Sequence, residues 1–436
     1  MKAPASRKKA SIETPAISQE LIGGILISDA AGHYPGLELL NYIYGCSDGI
    51  LPDISSPEFE WAGQDFARRL VWAPEIFAKK KLGENAFVGE EAQAVLGHLL
   101  RCLQLRVPNR SGPTSWEAAH FFPYTRALIH WDARNHKSNE RTEAQIEGRY
   151  LRGGGAFAYK ILREDPDANR KAAIRKGFET LMPEGQSTPL DRLAKVLRNK
   201  GTTSSNIKSR IEKQAVSRQD KQEDHFRSGI ERILSHIDLS STARVKAIMN
   251  WTGFWLAVCQ SERSAARLGK PRTGIIIDCG SGPSQLRRES ARAVKEVIST
   301  IGDAATDCLP AGEDLLKKAR NDIAGFFTRS CAWIGMLNAS TGRRHFIVGL
   351  DLLEALVLAQ VRFSEEISYE AFIDGLEKCF GLIIGRNSAR SEGLLARLDA
   401  SILEDNEEAF ARQLGAAGLM HAYSDTTRMV GTRALK

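Results

Sequence analysis

The stretch "GIIIDCGSGPSQLRR", Gly274 to Arg288, decides the fold class of this chain. Three consecutive isoleucines, Ile275 to Ile277, read as a short buried strand or extended packing segment. Gly280, Gly282 and Pro283 turn the chain, and helical spacing begins near Ser284. The residues beyond, "RRESARAVKEVISTIGDAATDCLPAGEDLLKKARNDIAGFF", keep that spacing and contain no second apolar strand. A glycine-rich loop becomes a ligand site through the alternating strands that carry it. One strand followed by helices therefore predicts a structural turn in a mainly α protein.

The opening "IIIDCGSGP" resembles the first strand and glycine loop of methyltransferases that use S-adenosylmethionine. In that arrangement small residues admit the ligand to the backbone, and a helix N-terminus faces it. The resemblance implies S-adenosylmethionine at Asp278–Pro283, at least five parallel strands, and an acid roughly 20 residues on for the ribose hydroxyls. The missing strands make this the alternative reading. Arg287 and Arg288 fall in the first turn of the following helix, where the macrodipole disfavours cations by a few tenths of a kcal/mol. They are better placed if an anion or an acidic partner faces them.

Elsewhere the chain reads as helix upon helix. "EEAQAVLGHLLRCLQL" sets Ala92, Val95, Leu99 and Cys102 or Leu103 on one expected face, and "TSWEAAHFFPYTRALIHW" opens at a cap, Thr114 or Ser115, before Pro123 breaks or kinks it. Gly153, Gly154 and Gly155 interrupt another helical stretch. Each glycine inside a helix costs on the order of 1 kcal/mol against alanine, so the three mark a break, a kink or a close backbone contact. Trp251, Phe254, Trp255 and Val258 form a broad aromatic face that reads as core. Strands are expected only in "GIIID", "FGLIIG" and the final "LMHAYSDTTRMV".

At 436 residues the chain is long enough for two or three domains and a sizeable core. No apolar run reaches the roughly 18 residues of a membrane span, and the basic start "MKAPASRKKA" lacks the apolar segment of a secretory signal. The seven cysteines are odd in number and widely spaced, without zinc spacing, as expected of reduced thiols in the cytoplasm. The formal charge is +7. Between Arg170 and Lys221 stand 13 basic and 5 acidic residues, a surplus of 8 that accounts for the whole excess. A local positive block attracts polyanions, which makes nucleic acid, DNA before RNA, the expected partner.

The candidate contacts are basic residues in five places. Arg149, Arg152, Lys160 and Arg163 stand among Tyr150, Phe157 and Tyr159, the composition of a phosphate-and-stacking surface unless the rings are buried and the cations snorkel. Arg192, Lys195, Arg198 and Lys200 belong to the basic block. Arg287 and Arg288 follow the glycine loop, and Arg343 and Arg344 lie in "GRRHF", which could hold a phosphate through guanidinium forks or cap a helix ending near Asn338. Arg412 and Arg428 are the fifth place. "HWDARNHK" gathers His130, Asp132, Asn135 and His136 but lacks a second cluster to complete a metal or nuclease site. No Walker loop and no Gly-x-Ser-x-Gly elbow occurs. No catalytic, cofactor or metal-ligating residue is assigned.

From Leu350 the order helix, helix, short strand, two helices and a hairpin centred on Ser424 and Asp425 resembles a winged-helix domain. The resemblance implies a helix in the major groove and a wing on the backbone, with Arg386, Arg390, Arg397, Arg412 and Arg428 available. From Arg386 to Lys436, however, 7 basic residues face 7 acidic ones, which suits a protein-interaction module equally well. The expected plan is a disordered basic tail (1–16), an N-terminal helical domain (17–200), a polar linker (201–222), a central helical domain (223–345) and the winged-helix-like module (346–436). The expected function is a non-catalytic, DNA-associated component of a cytosolic multi-protein system, such as a prokaryotic DNA-transaction or anti-phage defence system. A helical protein-interaction scaffold without nucleic-acid binding is the second reading, with other protein subunits as partners and no membrane.

Overall fold

A helix buried on every side must be surrounded by others, and Ser241–Arg267 is such a helix through its middle: every residue from Ala247 to Ser261 is buried, Trp251, Phe254, Trp255 and Val258 among them. The computed structural model describes residues 14–60, 90–105, 120–131, 149–185, 188–192, 215–280, 282–311, 313–391, 393–424 and 427–432. Within these, the chain forms α1 (Thr14–Ile22), α2 (Tyr34–Gly45), α3 (Glu90–Cys102), α4 (Gly154–Arg163), α5 (Ala168–Leu181), α6 (Lys221–Ser235) and the central α7 (Ser241–Arg267). After α7 come β1 (Ile275–Ile276), α8 (Ser284–Asp307), α9 (Lys317–Trp333) and α10 (Leu350–Gln360). The C-terminal part adds β2 (Ile367–Ser368), α11 (Tyr369–Phe380), β3 (Leu382–Ile383), α12 (Arg386–Ser391), α13 (Ala400–Ala416), β4 (Met420–Ala422) and β5 (Arg428–Val430). The protein is mainly helical with few short strands, as its periodicity predicts.

Eight helices, α1, α2, α4, α5, α6, α8, α9 and α10, pack on α7. The Trp255 ring stacks on Phe226 at 4.3 Å, and the indole N–H groups of Trp251 and Trp255 donate to the Phe226 and Gln222 carbonyls of α6. One hydrophobic cluster runs from Ile17 to Val430, across positions 222/223 and 345/346. Helix α1 begins at Thr14, and residues 1–13 lie outside the described residues. Of the stretch 201–222, Ala215 is buried and the Val216 N–H donates to the Gly23 carbonyl, while residues 201–214 lie outside the description.

The three glycines are a crossing point. Glu38, buried on α2, accepts from the Gly153 N–H at 3.1 Å and the Gly155 N–H at 2.7 Å, so a carboxylate caps the N-terminus of α4. Gly153 takes φ = 148°, open to glycine alone, and Gly155 lies directly on the α2 backbone.

Two helix expectations are corrected. On α3, Val95 is 61% and Leu99 55% exposed, whereas Leu96 and Leu100 are buried. The leucine-rich side wins because it carries more apolar area than the alanine–valine side. Between His120 and Trp131 the chain is non-helical apart from the single 3-10 turn Arg126–Leu128, so the expected helix is already absent at His120–Phe122, ahead of the break expected at Pro123; residues 106–119 lie outside the description.

Much of the described part of the basic block is consumed by structure. Arg170 holds Asp165 through two bonds of 2.7 Å and pairs with Asp224 at 2.7 Å. Lys171 and Arg175 both grip Asp53, and Arg175 also donates to the Ile50 and Leu51 carbonyls. Arg218 caps α1 through the Glu20 and Leu21 carbonyls. Beside them Arg263 meets Asp220 at 2.7 Å and the fully buried Glu223 at 2.8 Å.

At the C-terminal end β2, β5 and β4 form an antiparallel sheet in that order, with Ile367 opposite Val430 and Met420 opposite the same residue. Separately, β1 pairs in parallel with β3. No helix among the described residues is long and apolar enough to cross a membrane.

Candidate nucleic-acid interface

The isoleucine run builds the floor of the site. Ile275, Ile276 and Ile277 are buried, and the Ile275 and Ile277 N–H groups donate to the Gly381 and Ile383 carbonyls at 2.8 and 2.9 Å. On its other side Ile277 bridges Phe346, which in turn bridges Leu337. The chain leaves this edge at Asp278, whose N–H donates to the Phe346 carbonyl at 2.9 Å. Gly280 and Gly282 adopt φ = 81° and 107°, and a Cβ on either would meet nothing within 4 Å. These glycines are required by backbone conformation rather than by close packing. Ser284 then starts α8, the strand, turn and helix that the sequence predicts. Among the described residues β1 has one strand partner and is followed by helices, so the parallel sheet implied by the methyltransferase resemblance is not formed there.

Asp278 organises the cations around it. It is 5% exposed. One carboxylate oxygen accepts from the Gly280 N–H at 2.9 Å, and the other accepts from Arg287 Nε at 2.8 Å, with His345 Nε2 at 3.5 Å from that same oxygen. The loop bearing His345 is closed by Asn338, which accepts from the His345 N–H at 2.8 Å and donates to the Arg343 carbonyl at 3.3 Å. The Phe346 N–H donates to Ser290 Oγ of α8 at 2.8 Å. Arg343 and Arg344 are thereby anchored beside the first turns of α8, although 55 or more residues separate them from Arg287 and Arg288. Helix α9 ends at Trp333 rather than near Asn338, so "GRRHF" does not cap it. Burial pushes the His345 imidazole below its ordinary value, Arg287 adds to that, and Asp278 opposes both.

Arg287 and Arg288 are exposed, and Arg288 also bonds Ser284 Oγ at 3.2 Å. Arg288, Arg292 and Lys295 are exposed at spacings of four and three, hence on one face of α8. Of the acids on this stretch, Glu289 is shared between Arg292 at 3.7 Å and Arg397 at 3.3 Å, and Glu296 is exposed next to Lys295. Arg288, Arg292 and Lys295 therefore make a cationic helix face, with Arg287 held on Asp278 at its start and the Arg343–Arg344 loop tied to α8 through Phe346 and Ser290.

The remaining sequence-derived contacts fall elsewhere. Phe157 and Tyr159 are fully buried, so neither ring is available to stack on a base. Arg149 pairs with Asp29 at 3.8 Å and lies over Tyr150, while Lys160 and Arg163 each pair with Glu164 at 3.8 Å. This is the snorkelling arrangement. Arg152 and Arg192 are exposed, and Lys195, Arg198 and Lys200 lie outside the described residues. Arg412 is exposed on α13, but Glu404, Asp405 and Glu408 share its exposed surface; Arg386 pairs with Glu404 at 2.9 Å and Arg428 with Glu408 at 2.7 Å. His130 is buried and bonded to the Leu128 carbonyl at 2.8 Å, whereas Asp132, Asn135 and His136 lie outside the description.

Sequence reasoning missed Arg292 and Lys295, and it reached His345 only as part of "GRRHF", without its partner. The first two were visible as a four-and-three continuation of Arg288, but His345 had no local signal because its partner, Asp278, is 67 positions away. Comparison of the chain with protein-family models, with curated proteins and with solved structures finds no match.

Proposed function

We propose that this protein is a non-catalytic, nucleic-acid-associated component of a multi-protein system, and that it grips a phosphate backbone through the start of α8 and the Arg343–Arg344 loop. The observation that carries this reading is the convergence of two distant basic segments on Asp278, a buried acid already satisfied by the protein. Arg288, Lys295 and Arg343 are exposed, Arg292 is exposed beside Glu289, and Arg287 is half exposed on Asp278, while Glu296 is the exposed acid on the same stretch of helix. From Arg288 to Lys295 the helix rises about 10 Å. Duplex DNA presents one charge per roughly 1.7 Å of axis, so that length meets about six phosphates.

The C-terminal module supports the partner side of the proposal. Its sheet order, with α13 leading into the β4–β5 hairpin, agrees with a winged helix. Two features argue against α13 reading a groove. Its exposed surface carries Glu404, Asp405 and Glu408, two of which already occupy Arg386 and Arg428, and eight residues (392–399) separate α12 from α13 where a helix-turn-helix has a three- or four-residue turn. We assign this module to protein contact.

The test is anisotropy of a labelled duplex across a potassium chloride series, for the wild type and for the combined Arg288→Ala, Arg292→Ala, Lys295→Ala variant. Each phosphate contact contributes about 0.9 to the slope of log K against log salt, so the variant is expected to lose about 2.7. An unchanged slope with an intact circular dichroism spectrum refutes the assignment of this face. No binding of duplex, single strand or RNA at low salt refutes the function and favours the protein-interaction scaffold.

A further inference from the structure

We propose that the contact of Asp278 with Arg287 and His345 makes the cationic face responsive to pH: protonated His345 takes over Asp278 and releases Arg287 to phosphate. The inference rests on the function proposed above and names the regulation of that same face. The geometry is a competition for one oxygen. Asp278 Oδ1 is committed to the Gly280 N–H, and Oδ2 receives Arg287 at 2.8 Å while His345 Nε2 waits at 3.5 Å. A neutral imidazole is a modest donor. Once charged, it forms the stronger charge-assisted bond to a carboxylate whose capacity is already divided.

The charges that bear on His345 come from each element around it. Strand β1 runs into Asp278, which favours the charged imidazole, and α8 gives Arg287, which opposes it; Arg343 and Arg344 precede it in its own loop. Partial burial, and with it Arg287, lowers the imidazole below its ordinary value against the opposing pull of Asp278. A bound phosphate would reverse that balance. By linkage, whatever favours the charged imidazole is itself bound more tightly as the pH falls, so acidification is expected to strengthen nucleic-acid binding. Arg287 is the residue free to respond, because its side chain is already half exposed.

The experiment compares the salt dependence of duplex binding at about pH 5.5 and about pH 8, the interval across which histidine is the side chain that ordinarily changes charge. For the wild type the slope is expected to steepen by about one at the lower pH, the contribution of a single added phosphate contact. His345→Gln and Arg287→Gln should each show the same slope at both pH values. Asp278→Asn, whose amide oxygen can still accept from Gly280, should give the steep slope at both, since no carboxylate holds Arg287. A wild-type slope independent of pH overturns the inference, and so does an increment that survives in His345→Gln. In both cases binding itself persists and the proposed function stands. Absence of binding at either pH removes both. If Asp278→Asn fails to fold, the two variants at the partly exposed residues decide the matter.

Discussion

Replacing Gly155 by alanine tests whether the triple glycine is a packing device or a flexible break. In the structure a Cβ at position 155 would lie 2.5 Å from the Leu39 nitrogen and 2.5 Å from the Pro35 oxygen, with the Glu38 Cβ nearer still. Non-bonded carbons prefer about 3.5–4.0 Å, and two of these three neighbours are backbone atoms of a buried helix, so α2 and α4 must separate. Overpacking of this kind costs roughly 1–3 kcal/mol. Separation also weakens the bonds from the Gly153 and Gly155 N–H groups to the Glu38 carboxylate, and a hydrogen bond to a charged group contributes about 1.5–3 kcal/mol. The helix propensity of alanine returns about 1 kcal/mol. The balance is a destabilisation of about 2–4 kcal/mol. Gly154→Ala is the internal control: its Cβ would meet only the Pro35 Cγ at 3.2 Å and the Pro35 Cβ and Leu256 Cδ1 at similar distance, all side-chain atoms that can shift. Urea unfolding followed by tryptophan fluorescence should place Gly155→Ala well below both Gly154→Ala and the wild type. Stabilities of the two variants within about 0.5 kcal/mol of each other, the scatter of substitutions that touch nothing critical, would refute the crossing-point argument.

Two further substitutions probe the buried charges. Arg263→Met should cost about 3–5 kcal/mol in thermal unfolding, because it strips the buried Glu223 and its neighbour Asp220 of a shared cation; a cost under about 1 kcal/mol would mean that Arg227, 3.5 Å from Glu223, suffices alone. Glu407→Gln should stabilise the protein at neutral pH. Burial raises the Glu407 carboxyl above its ordinary value, so the folded state favours the protonated form; its benefit is present at acidic pH and is lost as pH rises through the raised value. The glutamine variant should therefore gain over wild type at neutral pH, and the gain should shrink as the solution is acidified through the carboxylate range. An advantage that is constant with pH would assign the effect to packing instead.

The parts of this fold that sequence reveals are those governed by neighbours in the chain. Ile275–Ile277, the glycine turn and the helix start at Ser284 are set by β-branching, positive φ and a proline within a dozen residues, and each is found where the pattern puts it. The hairpin around Ser424 is legible for the same reason. On α3 two apolar faces compete within thirteen residues, and periodicity alone does not rank them. Arg149 to Arg163 looked like a stacking surface because composition does not report burial, and Phe157 and Tyr159 turn inward with the α2–α4 crossing that Gly155 permits. The cationic face depends on pairing Asp278 with His345, and no spacing rule joins residues so far apart.

Asn406 shows how the proposed phosphate face and the C-terminal module are joined. Two-residue strands such as β1 and β3 have too few ladder bonds to hold their register in water. The fully buried Asn406 supplies what they lack: its oxygen accepts from the Cys279 N–H at 2.8 Å, and its amide donates to the Ile277 and Ile384 carbonyls at 2.9 and 2.8 Å. Both amide hydrogens and the carbonyl are used, so the side chain has one geometry. Gln413, two turns further along α13, adds a bond to the Cys279 carbonyl at 3.1 Å. The glycine loop is thus fixed from below by α13, while Asp278 at its edge orients Arg287 above. A protein seated on the exposed side of α13 and a phosphate held at the start of α8 would be separated by this one hydrogen-bonded layer. The offset between them is then set by short strands clamped at both ends rather than by a linker, which is the property expected of a component that presents nucleic acid to a partner in a fixed register.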